Sequence, residues 1–143
     1  MAVFLLDANV LIALAWPAHV SHSVAHTWFD KHAQKGWATC PLTECAFARV
    51  ISNPAFSSDA LTPQAAIELL AANRKHPSHH FWPDHIDLAQ AVRQTDRRLT
   101  GHQQITDAYL VGLAVHYKGR LATLDHGVGW LIEKTKDAVE LIS

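Results

Sequence analysis

Two short apolar segments, each followed by an aspartate, constrain this chain more than any other feature. Residues 3–6 read VFLL and precede Asp7, and residues 121–124 read LATL and precede Asp125. Short apolar runs of this kind are typical of strands buried on both faces of a parallel sheet. We therefore expect both aspartates at the carboxyl ends of such strands, which is the edge where α/β sheets bind ligands.

Segments with helical spacing separate the expected strands. The pattern predicts helices over residues 9–15, 22–35, 63–74, 87–95 and 103–117, and a further helix that Pro41 opens and that carries Glu44. Gly119 is expected to end the helix over 103–117. Further short strands are expected over 37–40, at an edge near Phe81 and Trp82, and over 139–142.

Strands that alternate with helices imply right-handed crossover connections. The predicted fold is an α/β single domain over residues 1–143, with a mostly parallel central sheet covered by helices on both faces. With 143 residues, of which 49% are hydrophobic, the chain has enough apolar side chains for one core.

Charge and cysteine content exclude several classes of protein. A net charge of -1 argues against a protein that wraps nucleic acid through overall positive charge. Cys40 and Cys45 fit neither zinc-site spacing nor a secreted disulfide scaffold, and Cys45 is expected to pack in the core. The apolar start is interrupted by Asp7 and lacks a basic flank, which is unlike a signal peptide or a membrane span. We expect a soluble protein in a reducing cytoplasm.

Four acids lie in apolar surroundings near the ends of expected elements, namely Asp7, Glu44, Asp107 and Asp125. Removing several carboxylates from water is costly unless protons or cations compensate, and no neighbouring lysine or arginine must do so. Ligands that are nearly all carboxylate oxygens suit Mg2+ or Mn2+. Such a metal activates water and stabilises an in-line displacement, so the set fits phosphodiester hydrolysis.

Each acid also has a purely structural interpretation. Asp7 or Asp125 can cap the turn or helix that follows its strand. Asp107 can favour the dipole of its helix, and Glu44 can lie on a solvated helix face. The functional interpretation gains weight because one fold would bring all four acids to the same edge.

The segments around these acids resemble a known family. They read LLDANVLIAL at 5–14, TECAFARV at 43–50, ITDAYLVGLA at 105–114 and LATLDHG at 121–127. These blocks are similar to the signatures of PIN domains, and specifically to VapC toxins of VapBC toxin–antitoxin pairs. The resemblance implies a PIN-like fold and an Mg2+- or Mn2+-dependent endoribonuclease that cuts RNA.

The resemblance also implies a set of site residues and partners. It assigns the acidic metal site to Asp7, Glu44, Asp107 and Asp125, with Asn9 and Thr123 as polar neighbours that position ligands or water. It implies a homodimer held inactive by a cognate VapB-like antitoxin. There are two alternatives. One is a housekeeping RNA-processing nuclease, and the other is a PIN-like module that binds RNA or protein without cutting. Retention of all four acids weighs against the non-cutting module.

Basic residues supply candidates for contacts with RNA. A solvated helix face is the default for such side chains, and phosphate binding is the sharper hypothesis. The candidates are Arg49, Arg93, Arg97, Arg98 and His102. The other histidines are expected in a polar loop or on solvated faces without a metal, and most of the tryptophans are expected in the core or an interface.

Overall fold

The computed structural model describes residues 2–95, 99–128 and 136–143, in which strands and helices alternate. The main elements are β1 (Phe4–Leu6), α1 (Ala8–Ala15), α2 (His22–His32), β2 (Trp37–Thr39), α3 (Pro41–Ile51), α4 (Pro63–Asn73), β3 (His79–Phe81), α5 (Leu88–Val92), α6 (Ile105–His116), β4 (Arg120–Thr123) and β5 (Val139–Leu141). A short 3-10 turn over His102–Gln104 leads into α6, and another over Lys136–Ala138 leads into β5.

The five strands form one sheet in the order β3-β2-β1-β4-β5, and every pairing is parallel. Leu5 in the central strand β1 pairs with Ala38 on one side and with Leu121 on the other. The chain winds outward from β1 to β3 and then returns to β4. The winding direction therefore reverses between β1 and β4, where α/β sheets bind ligands.

Side chains that alternate along the strands build a core on each face of the sheet. Phe4 and Leu6 pack with α1, α2, α3 and α4 on one face. Leu5 and Leu121 pack with α5 and α6 on the other. The predicted parallel sheet with helices on both faces is confirmed.

The end of α6 differs from the prediction. Lys118, not Gly119, takes the left-handed conformation after the helix, with φ 58°. Gly119 is needed for space, because a Cβ there would overlap the carbonyl oxygen of Val3. The glycine therefore allows β4 to lie close beside β1.

The predictions for Cys45, for the edge strand, and for His79 and His80 need correction. Cys45 is exposed rather than in the core, because α3 buries Thr43 and Phe47 and residue 45 lies on the opposite side of the helix. The edge strand covers His79–Phe81 and ends before Trp82, so His79 and His80 lie in a strand and not in a loop.

No helix in the described part of the chain is long and apolar enough to cross a membrane.

Candidate active site

Asp7 directly follows β1 and is the N-cap of α1. Its Oδ1 accepts the backbone N–H of Ala8 at 2.8 Å, and its Oδ2 accepts the hydroxyl of Thr123 at 2.9 Å. The residue is only 9% exposed. Burial raises the pKa of Asp7, the two hydrogen bonds oppose this, and the charge of Asp125 raises the pKa further. Asp7 thus caps α1 and is also a buried acid of the candidate site.

Thr123 links the two central strand ends. Its hydroxyl oxygen accepts the side-chain amide of Asn9 at 3.1 Å and the backbone N–H of Asp125 at 3.0 Å while the hydroxyl donates to Asp7. The side-chain oxygen of Asn9 in turn accepts the N–H of Leu124 at 3.2 Å. Asn9 and Thr123 thus fix Asp7 relative to the segment that carries Asp125.

Asp107 and Asp125 complete a group of three acids that influence one another. Asp107 lies in the first turn of α6, which packs against β1 and β4. Burial, and then the charges of Asp7 and Asp125, raise the pKa of Asp107 to about 6. Asp125 is exposed, and its Oδ1 accepts the N–H of Gly127 at 2.9 Å. These carboxylates are therefore close enough to repel one another.

Glu44 is turned toward the neighbouring strand. The hydroxyl of Thr39, the last residue of β2, donates to Glu44 Oε2 at 2.6 Å, and Arg74 Nε lies 3.5 Å from the same oxygen. The side chain of Glu44 is 15% exposed. Glu44 is therefore held at the end of β2, the strand next to β1, and it is paired with an arginine that was not among the residues expected at the site.

The chemistry of this donor set fits a hard divalent cation. In the described part of the chain, no three histidine, cysteine, aspartate or glutamate side chains already form a metal-binding group as they stand. The acids offer oxygen ligands, and their repulsion and burial are the terms that a divalent cation would offset. Asp7, Asp107 and Asp125 could hold such an ion, and Glu44 could join them from α3.

The comparison with known proteins decides the family. The sequence matches the model of the PIN domain over residues 4–129. The chain belongs to the PIN-domain family. This PIN domain is 43% identical to Ribonuclease VapC39 of Mycobacterium tuberculosis over 121 residues, which cover 85% of this chain and 87% of the relative.

Solved structures agree with the fold of this PIN domain. FitAcB from Neisseria gonorrhoeae superposes with a TM-score of 0.61 at 15% identity, over 98% of this chain and 96% of that one. VapBC2 from Rickettsia felis, bound to a DNA fragment from their promoter, gives 0.57 at 11% identity, over 99% of each chain. The expected PIN-like fold and the resemblance to VapC ribonucleases are confirmed.

The RNA-contact candidates of this PIN domain that the structure describes are all exposed. Arg49 is exposed in the last turn of α3, Arg93 is exposed at the end of α5, and His102 is exposed in the turn before α6. Arg97 and Arg98 lie outside the described residues. The role of all five candidates in RNA binding stays a prediction.

Sequence reasoning missed two residues of the site, Thr39 and Arg74. Thr39 had a visible signal, because it is a polar residue at the end of an apolar strand, as Thr123 is. Arg74 had none, since it is the C-cap of α4 and only tertiary packing brings it to Glu44.

Proposed function

We propose that this protein is a metal-dependent endoribonuclease and the toxin of a type II toxin–antitoxin pair in the cytoplasm. The observation that carries the proposal is the crowding of Asp7, Asp107 and Asp125 at the switch point of a PIN-domain sheet. The VapC relatives, which are named ribonucleases, supply the substrate class. Cleavage of RNA phosphodiester bonds by water is the reaction that fits both.

We propose Mg2+ or Mn2+ as the cofactor, because all four acidic ligands offer oxygen. When bound, the cation would lower the pKa of a water molecule and offset negative charge that develops at phosphorus. Asp7, Glu44, Asp107 and Asp125 are the proposed ligands. Asn9 and Thr123 orient Asp7, and the burial of Asp7 places its charge in a medium that strengthens electrostatic interactions.

The experiment uses purified protein, free of antitoxin, with total cellular RNA. Addition of Mg2+ or Mn2+ should generate new RNA ends at defined positions, and a chelator should prevent them. The Asp107→Asn variant should cut at least about a hundredfold more slowly, because a metal ligand is lost at nearly constant shape. Equal cutting with and without chelator, or by the variant, contradicts the proposal.

A cognate VapB-like antitoxin is the proposed partner, and a symmetric homodimer the proposed assembly. An apolar pocket of about 340 Å³ opens between α1, α2 and α4 and is lined in part by Leu14, Phe29, Trp37 and Leu69. Such a pocket is suited to a hydrophobic segment of the antitoxin. We expect the antitoxin to dock here through this segment and to block the acidic site with the rest of its chain.

Co-expression tests the partner. The product of the adjacent antitoxin gene should restore growth to cells that express this protein. It should fail to do so for the Leu69→Glu variant, which places a charge in the pocket, and succeed for Ile67→Glu, which alters an exposed position of the same helix. Rescue of both variants alike would place the antitoxin elsewhere.

A further inference from the structure

An arginine lies beside Glu44 with hydrogen-bonding groups that no other described residue uses. Arg74 ends α4, and its side chain is 40% exposed. Its Nε lies 3.5 Å from Glu44 Oε2, which is an ion pair, and the guanidinium makes no hydrogen bond within the described residues. The planar guanidinium therefore has N–H groups available for another acceptor.

An exposed aromatic ring supports this guanidinium. The Cζ atom of Arg74 lies 4.9 Å from the centre of the Phe81 ring, within the range of a cation–π interaction. Phe81 is 40% exposed, more than any other phenylalanine, tyrosine or tryptophan within the described ranges. Phe81 belongs to neither core, and its ring is open to solvent beside the arginine.

Thr39 holds Glu44 beside this pair, and Thr39 also contacts His79, which is neutral. The hydroxyl of Thr39 donates to Glu44, so the 2.8 Å contact between Thr39 Oγ1 and His79 Nε2 requires the histidine to donate. His79 then carries its proton on Nε2. Burial, followed by the charge of Arg74, lowers the pKa of His79 to about 4. At neutral pH, Arg74 contributes positive charge here and His79 contributes none.

The order of the strands places this pair in line with the acids. Phe81 ends β3, Glu44 follows β2, Asp7 follows β1 and Asp125 follows β4, and these strands are neighbours in that order. Neighbouring strands are about 4.8 Å apart, so the Phe81 strand lies about 10 Å from that of Asp7. If a single RNA strand lies across the carboxyl edge, a phosphate close to the cut comes within reach of Arg74 and Phe81.

We propose that Arg74, stacked on Phe81, binds an RNA phosphate on the β3 side of the cut. This inference rests on the proposed ribonuclease function and names a substrate-binding residue for it. Glu44 and Phe81 hold the guanidinium before RNA arrives, which lowers the entropic cost of binding. A guanidinium suits a phosphate because two of its N–H groups can reach two oxygens at once.

The test measures binding of a short, unstructured, fluorescently labelled RNA by anisotropy in Mg2+, with Asp107→Asn as the non-cutting background. Arg74→Gln should raise Kd about tenfold, the effect of losing a charge-assisted hydrogen bond. It should also reduce the slope of log Kd against log salt by about 0.7, the value for one phosphate contact on a single strand. Arg74→Lys should keep the slope and lose part of the affinity.

A matched control is Lys31→Gln, which makes the same charge change beside Ala2 and Phe4, at the opposite edge of the sheet. It should leave Kd and slope unchanged. Phe81→Leu should raise Kd with the arginine still present, because the guanidinium loses its support. If Arg74 only compensates Glu44, Arg74→Gln will lower the melting temperature but leave the salt slope intact, and the inference is wrong.

The two proposals can fail separately. If the unmodified protein cuts no RNA with either metal while Arg74→Gln still weakens binding and lowers the slope, the phosphate site stands and the ribonuclease proposal fails. If the protein cuts RNA and Arg74→Gln binds with unchanged Kd and slope, the phosphate site fails alone.

Discussion

The hydroxyl of Thr123 donates a hydrogen bond to Asp7 Oδ2 at 2.9 Å, although the two residues are 116 positions apart in the sequence. This bond joins the ends of β1 and β4, the strands between which the winding reverses. It ties the position of Asp7 relative to Asp125 to the pairing of the two central strands. Disturbing it should therefore affect activity and folding together.

Replacing Thr123 by Val should show this double effect. Valine keeps the shape but leaves Asp7 Oδ2, the Asn9 amide and the Asp125 N–H each without a partner. We expect a loss of about 1–3 kcal/mol in the free energy of unfolding and a cleavage rate at least about tenfold lower. Urea denaturation and an RNA-cleavage time course measure the two. Thr123→Ser keeps the hydroxyl and should be near normal in both; equal defects in both variants would exclude the hydroxyl as the cause.

Asp107 should make the metal-free protein less stable as the pH rises. Its folded-state pKa of about 6 lies above the ordinary value of 3.8. The folded protein thus binds this proton more tightly, so the stabilisation is present below pH 3.8 and is lost as the pH rises through 6. Asp107→Asn cannot ionise and should be more stable than the unmodified protein at pH 7, by roughly 1–2 kcal/mol after allowance for partial exposure. Urea denaturation in chelator at pH 4 and pH 7 measures this. A stability difference that is the same at both pH values would contradict it.

His79 should act in the opposite direction over an overlapping range. Its folded-state pKa of about 4 lies below the ordinary 6.5, so the folded protein binds this proton less tightly. The stabilisation is present above pH 6.5 and is lost as the pH falls toward 4. His79→Gln retains an N–H donor for Thr39 without titrating and should lose less stability between pH 6.5 and 4. Asp107 changes stability in the opposite sense over this pH range, so the comparison is made in the Asp107→Asn background. If the free energy of unfolding has the same pH dependence with and without His79→Gln in that background, His79 is not the group responsible.

Gly112 should be indispensable to the packing of α5 on α6. A Cβ at this position would overlap the backbone of Ala91 in α5. Gly112→Ala must push the two helices apart, and we expect a loss of about 1–3 kcal/mol in the free energy of unfolding. Gly101→Ala is the control, since its Cβ would meet nothing within 4 Å. Similar urea midpoints for the two variants would mean that α5 shifts without cost.

Local signals explain what could be predicted from the sequence. The apolar runs before Asp7 and Asp125 specify buried strands by themselves, and parallel pairing brings their ends together. Pro41 and Pro63 begin α3 and α4 where the sequence indicated. The resemblance to PIN domains then added the roles that no local pattern contains.

Other features depend on contacts between distant segments. Glu44 is held by Thr39 and by Arg74, and Arg74 reaches it only because α3 packs on α4. Exposure of Cys45 follows from which side of α3 faces the sheet. The left-handed residue fell on Lys118 because Gly119 was required for its lack of a Cβ against β1. The roles of the four acids as metal ligands stay predictions.

The N-cap role of Asp7 has a consequence for how this fold can change over generations. Losing that carboxylate removes a helix cap, worth about 0.5–2 kcal/mol, along with any metal ligand. A lineage that abandons RNA cleavage while keeping the domain as a binding module would meet less resistance at Asp107 or Asp125 than at Asp7. An aspartate after the first strand would then persist in descendants that no longer cut RNA, because the stability of the fold still depends on it.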